Sequence, residues 1–379
     1  MSHSLLSPSA ASRWVKCPGS IQMCQQFPDK ERSEAAEEGT AVHWIASTAL
    51  EGKPMPAVGV LSPNGIITTV EMVECAGVYV QAALQGAQGA AIYAVECHMA
   101  VERVHPECHG TPDLWYYQPT TNELHVWDYK HGFGVVEPYE NWQLICYAAG
   151  AIEEVAAFTG QPSGILDQHL NAVLHIVQPR PFHVFGPIRE WRVLASDLRA
   201  HVNQLKQAAT LALGPQPQCS SGEHCKYCNG RHACLTLQHS AMVAVDYTNF
   251  AKAVQLNPDA LAVELRILQR CAELIKARLT GMEQQALGII KSGTPIPGYT
   301  MEQGRGRAIW NKPVGEILAL GQMMGKDLAA PQEAVTPAQA KKMGLDAELI
   351  AAYSTVPETG LKLVPSEKSL ALISNVFKR

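Results

Sequence analysis

The sequence predicts an α/β fold, a mixed sheet flanked by helices. Three observations carry that prediction. Between residues 70 and 180, helical and strand-like stretches follow the order helix, three strands, helix, strand. Apolar residues fill 47% of the 379 positions and charged residues 17%, a globular composition with ample material for a core. No apolar run approaches the roughly 18 residues of a membrane span, and the opening MSHSLLSPSAASRW lacks a signal-peptide layout. We therefore expect a cytoplasmic protein with no membrane partner.

Each element has a local reason. Ser7 and Pro8 form a cap and first-turn pair that opens a helix, which Pro18-Gly19 breaks. Residues 33–51 and 70–87 read as helices, the first with Gly39 inside it. Runs at 91–104, 112–118 and 123–130 read as strands joined by turn-rich segments. Residues 139–158 return to helical spacing, and NAVLHIVQPR (171–180) is an apolar strand closed by a proline. A strand near 183–193 and a helix at 195–213 lead into a cysteine-rich stretch. A long amphipathic helix is expected over 258–290, with Leu261, Leu265, Leu268, Leu274 and Ile275 facing a core. These breaks divide the chain into a main domain (1–240), a helical connector (241–295) and a mainly helical accessory region (296–379).

The net charge of −5 excludes a bulk polycation and does not by itself announce nucleic acid. Residues 291–379 differ, with 11 Lys and Arg against 8 Asp and Glu. Eleven cysteines in a chain of this kind point to reduced thiols or metal ligands rather than disulfides. Cys219, Cys225, Cys228 and Cys234 crowd into one short stretch.

Candidate chemistry gathers on the strands. In LHVWDYKHGFG (124–134), Asp128 and Lys130 are two apart, so on a strand they face the same side. Asp113 follows the Gly110-Thr111-Pro112 turn. If 112–118 and 123–130 form a hairpin, Asp113 and Asp128 lie near each other at one end. Two carboxylates about 4 Å apart repel by ~1–4 kcal/mol at effective dielectrics of 80 to 20, a cost that a bound Mg²⁺ or Mn²⁺ reverses. On the next helix Gln143 and Tyr147 are one turn apart on one face. His43 lies on the helix before the sheet. Each of these alone reads equally as packing or as a solvated pair. Glu96 could add a ligand, but it alternates with His98 and Glu102 and reads first as a solvent face.

Taken together and in this order, His43, Asp113, Asp128-x-Lys130 and Gln143-x-x-x-Tyr147 resemble the motif series of RecB-like nucleases in the PD-(D/E)XK superfamily. The resemblance covers roughly residues 1–240 and implies a restriction-endonuclease-like αβββαβ core. It implies a metal-dependent DNA nuclease acting on ends, an exonuclease, with Asp113, Asp128 and Lys130 catalytic. It further implies His43, Asp113 and Asp128 as Mg²⁺ or Mn²⁺ ligands, Gln143 and Tyr147 as substrate-positioning groups, and DNA as partner. The competing reading is a catalytically inactive DNA-binding or scaffold protein on the same fold.

HCKYCNGRHAC spaces Cys225, Cys228 and Cys234 for one metal centre. With Cys219 as fourth ligand the site is local and suits a structural Zn²⁺. With Cys17 it joins the N-terminus to the segment after the core. The second arrangement is similar to the iron–sulfur members of the RecB-like group, the AddB-type and CRISPR-adaptation-type nucleases. That resemblance implies a 4Fe–4S cluster on Cys17, Cys225, Cys228 and Cys234. The C-terminal third resembles that of phage-associated, uncharacterised proteins with the same core. This implies phage DNA replication or recombination in a bacterial host's cytoplasm, and a single-strand-binding or annealing protein as a partner. Arg305, Arg307 and Trp310 read either as phosphate and base contacts or as a surface turn with a core tryptophan.

Overall fold

The computed structural model describes residues 4–28, 34–248, 256–305, 309–310, 312, 314–328, 336–356 and 358–365. The chain divides into two units, 1–281 and 282–379.

The first unit opens with a 3₁₀ turn at Pro8–Ala10, then α1 (Ala11–Trp14), α2 (Ser20–Gln26), α3 (Glu34–Leu50) and α4 (Val70–Gly86). Next come β1 (Ile92–Val95), a small hairpin of β2 (Met99–Ala100) and β3 (His109–Gly110), then β4 (Leu114–Gln118) and β5 (Glu123–Tyr129). Helices α5 (Trp142–Thr159) and α6 (Ser163–Leu166) lead to β6 (Asn171–Val177), β7 (Ile188–Leu194), α7 (Arg199–Ala212), α8 (Leu235–Thr248) and α9 (Pro258–Lys291), the last of which runs past the end of the unit at Gly281. The main sheet has the order β1-β4-β5-β6-β7. Its β5–β6 pair is parallel and its other pairs antiparallel, so the fold is a mixed α/β sheet. A parallel pair needs a crossover, and α5 supplies it. The expected sequence of helix, three strands, helix, strand is α4, β1, β4, β5, α5, β6.

Alternation along the strands sorts side chains between two cores. Leu124 and Val126 of β5 pack with Leu144, Ile145 and Ala148 of α5 and with Trp14. Trp127 and Tyr129 face the other way, against Val42 and Ile45 of α3 and Tyr79 of α4. Capping fixes where the helices begin: Thr69 Oγ1 accepts from Met72 N–H, and Asn141 Oδ1 accepts from Gln143 N–H and Leu144 N–H.

Two expectations are corrected. The strand expected over 91–104 ends at Val95, because Glu96 takes a left-handed backbone (φ 46°) that no strand continues. Helix α9 forms, but Leu261, Leu265, Leu268 and Ile275 are exposed; Leu274 is buried, with Ala277, against Cys225 and Leu237. Close packing is limited to this turn, where a Cβ on Gly281 would lie 2.8 Å from Arg231 Cγ.

In the second unit β8 (Tyr299–Arg305) pairs with β11 (Glu358–Pro365), and β9 (Ile309–Trp310) with β10 (Ser354–Thr355). Helices α10 (Val314–Met323), α11 (Pro337–Lys342) and α12 (Ala347–Tyr353) bury Ile317, Leu320, Ala340 and Ile350 together. The expectation of a mainly helical region missed these strands, although Leu361-Lys362-Leu363 carries their two-residue alternation. Arg307 and the side chains of Arg305 and Trp310 lie outside the described residues. Among the described residues no helix is long and apolar enough to cross a membrane.

Candidate active site

The hairpin register assembles the site. Leu114 pairs with Trp127, so one step further Asp113 meets Asp128 at the end of β4 and β5. On the other side of β4, Val95 pairs with Leu114, which brings Glu96 beside Asp113; Glu96 N–H donates to the Asp113 carbonyl at 3.2 Å. From α3, His43 Nδ1 approaches Asp113 Oδ1 at 3.2 Å and Glu96 Oε1 at 3.8 Å. The ligand atoms of His43, Glu96 and Asp113 all lie within 4.8 Å of one another. Sequence reasoning put Glu96 on a solvent face. Its signal was the strand register, which places the residue after Val95 next to the one before Leu114.

Backbone and side chains then fix the carboxylates. Asp113 Oδ2 accepts the Tyr129 N–H at 2.6 Å, so the residue between Asp128 and Lys130 holds Asp113 through its main chain. Lys130 Nζ lies 3.0 Å from Asp128 Oδ1 and 2.8 Å from Oδ2, and donates to Gln143 Oε1 at 3.0 Å. Gln143 Nε2 donates to Asp128 Oδ1 at 2.7 Å. Gln143 thus bridges the pair. Tyr147 is buried and donates to the Thr111 carbonyl at 3.1 Å, which buttresses the turn before Asp113. A side chain at Gly110 would come within 3.0 Å of that hydroxyl.

The charges follow from burial and proximity. Burial works against a charged His43, but Asp113 and Glu96 outweigh it and raise the imidazole to about 10. Burial likewise opposes ionised Asp113, yet His43, Lys130 and the Tyr129 N–H hold it below the usual carboxylate range. Asp128 rises to about 6 because burial dominates, Lys130 pulls it down and Asp113 pushes it up. Lys130 is raised, since Asp128 and Asp113 overcome its burial. The buried Asp128 Oδ2 has no aligned hydrogen bond despite its closeness to Lys130. His43, Glu96 and Asp113, with one imidazole and two carboxylates converging, form the group that fits a hard divalent cation, while Asp128 Oδ2 faces the Lys130 ammonium at 2.8 Å.

A second constellation joins the N-terminal segment to residues 217–234. Ser220 N–H points to Cys17 Sγ at 3.3 Å, Gly19 N–H donates to the Gln218 carbonyl at 2.9 Å, and Arg13 Nη1 donates to the Tyr227 carbonyl at 2.6 Å. Cys17, Cys219, Cys225, Cys228 and Cys234 line one small cavity. Cys24 sits 4.0 Å from Cys228, sulfur to sulfur. Burial, with Cys17 and Cys234 nearby, pushes the Cys219 thiol up to about 12. Both ligand sets considered from the sequence therefore surround the same cavity.

The fold and this site define a mixed α/β protein with a histidine–carboxylate–lysine centre and a separate thiol nest. Residues 3–365 match the family described as "Protein of unknown function (DUF2800)", and the chain belongs to that family. Among solved structures it is similar to one from Eubacterium rectale described as "Putative exonuclease", with 12% identity and a TM-score of 0.37. That similarity covers 68% of this chain and 92% of the other.

Proposed function

We propose that the protein is a Mg²⁺- or Mn²⁺-dependent DNA nuclease with a PD-(D/E)XK core, acting on DNA ends. The observation that carries this reading is the meeting of Asp113, Asp128 and Lys130 at one end of a hairpin, with His43 and Glu96 across from them. His43, Glu96, Asp113 and Asp128 are the residues that would hold the divalent ion. When bound, the ion supplies Lewis-acid activation of water and of a phosphodiester oxygen.

The chain's own groups do the rest. Asp128 and Gln143 hold the Lys130 ammonium in a fixed direction, so it stabilises charge building on the phosphate without reorganising. The Tyr129 N–H keeps Asp113 ionised and aimed. Tyr147 keeps the preceding turn in place.

The thiol nest supports a structural 4Fe–4S cluster on Cys17, Cys225, Cys228 and Cys234. All four line one cavity, as does Cys219 of the alternative zinc set. A phage role in recombination or replication, with a single-strand-binding or annealing partner, extends the same reading.

The test compares wild type, Lys130→Ala and a metal-free control on linear and circular DNA, single- and double-stranded. Lys130→Ala is expected to lose about 10²–10³-fold in cleavage rate while still binding DNA. Undiminished cleavage by this variant refutes the assignment.

A further inference from the structure

Two loops leave the strand ends that carry the candidate site. Residues 130–141 follow β5, and 178–187 join β6 to β7. Because β5 and β6 are parallel, both loops emerge on the side of Asp128 and Lys130; the Lys130 N–H donates to the Val177 carbonyl at 2.8 Å. A buried polar frame locks them together. Gln178, with no exposed surface, donates through Nε2 to the carbonyls of Gly132 (2.7 Å) and Gly134 (2.8 Å) and accepts the Val136 N–H at 3.0 Å. The buried Arg189 donates to the Val136 carbonyl at 2.7 Å, and His183 meets Glu137 at 3.0 Å.

On this fixed backbone the apolar side chains face solvent. Phe133, Tyr139, Phe182 and Phe185 are between 65% and 88% exposed. Single exposed apolar residues are ordinary. Four aromatic rings on two interlocked loops beside a candidate phosphodiester site are not scattered. Phe182 and Phe185 carry the most open rings, since Arg180, held by Glu71 at 2.7 Å, lies 4.3 Å over the Phe133 ring and Tyr139 packs against Trp191 at 5.2 Å; with Arg189 buried, the loops offer ring faces rather than free cations. Ring faces recognise bases that have left the helical stack, whereas duplex DNA hides its base faces and presents phosphates.

We infer that these loops form a stacking platform for the unpaired bases of single-stranded DNA next to the site. The inference rests on the nuclease reading and adds the strand state of the substrate. Stacking on pre-fixed rings requires little ordering of the protein on binding, which accounts for exposed side chains on a rigid frame.

The experiment measures fluorescence anisotropy of a labelled oligothymidylate and of a blunt duplex, in EDTA, with the full chain. Phe182→Ala/Phe185→Ala is expected to weaken single-strand binding at least about tenfold and duplex binding less than about threefold. Phe182→Trp/Phe185→Trp keeps single-strand affinity, whereas Phe182→Leu/Phe185→Leu, apolar but without a ring face, loses it. Equal losses for strand and duplex, full affinity in the leucine variant, or a change of oligomeric state in the alanine variant would each overturn the platform.

Cleavage by the same preparations in Mn²⁺ separates the two readings. Cleaving wild type with unchanged single-strand binding in the alanine variant removes the platform and keeps the nuclease. Ring-dependent binding without any cleavage keeps the platform and removes the nuclease. Neither binding nor cleavage removes both.

Discussion

If His43 is a metal ligand, a divalent ion must displace a proton to bind. His43 Nδ1 faces Asp113 and Glu96, which raise the imidazole to about 10, so the metal-free protein carries this group charged at pH 7.5. Only the neutral imidazole ligates metal. Each pH unit below the His43 value costs about 1.4 kcal/mol, or roughly 3 kcal/mol at pH 7.5. The side chain is 33% exposed, and solvent screening reduces this to about 2 kcal/mol, a ~30-fold weakening of affinity.

The sign is definite. His43 is raised, so its proton competes at low pH, and affinity increases as pH climbs, levelling near 10. Below about 6 Asp128 takes up a second proton and the dependence steepens. Calorimetric Mn²⁺ titrations at pH 7.5, in two buffers of different ionisation enthalpy, should show close to one proton released per ion. His43→Gln should release almost none. Tight Mn²⁺ binding by wild type with no buffer dependence would refute the role given to His43.

Two further outcomes follow from the thiols and from a buried charge. Protein purified without oxygen should absorb broadly near ~400 nm and carry about four irons per chain, with Cys17→Ala losing both; a colourless protein with one zinc that Cys17→Ala leaves in place would move the site to Cys219. Asp167, fully buried, accepts from Arg103 at 2.7 Å and from Arg199 at 3.1 Å, so Asp167→Ala should destabilise the fold by about 3–5 kcal/mol in denaturant unfolding, and a loss under ~1 kcal/mol would mean that the guanidinium groups find water instead.

Helical spacing and short apolar runs placed α4, β4, β5, α5 and β6 close to where they lie, because β4, β5 and β6 are buried on both faces and so read as apolar runs bounded by turns. Asp113 and Asp128 were legible as a pair once a hairpin was assumed, since register follows from the turn. Glu96 was not, because its position depends on a single left-handed residue that ends β1. The exposed leucines of α9 show the opposite limit. Helical spacing identified the helix correctly, but whether a stripe is covered depends on what packs against it. The contacts of Tyr147 and Cys24 lie beyond local pattern for a similar reason: each meets a distant backbone carbonyl or sulfur.

The bond from Ser220 N–H to Cys17 Sγ ties the beginning of the chain to a residue synthesised much later. At ~5–20 residues per second, the roughly 200 intervening residues take about 10–40 s to leave the ribosome. Throughout that interval Cys17 has been made while Cys219, Cys225, Cys228 and Cys234 have not. Every strand of the main sheet is also finished before the N-terminal segment can be closed. The first sulfur of the nest is therefore the one that waits longest, open to oxidants, for its partners to arrive.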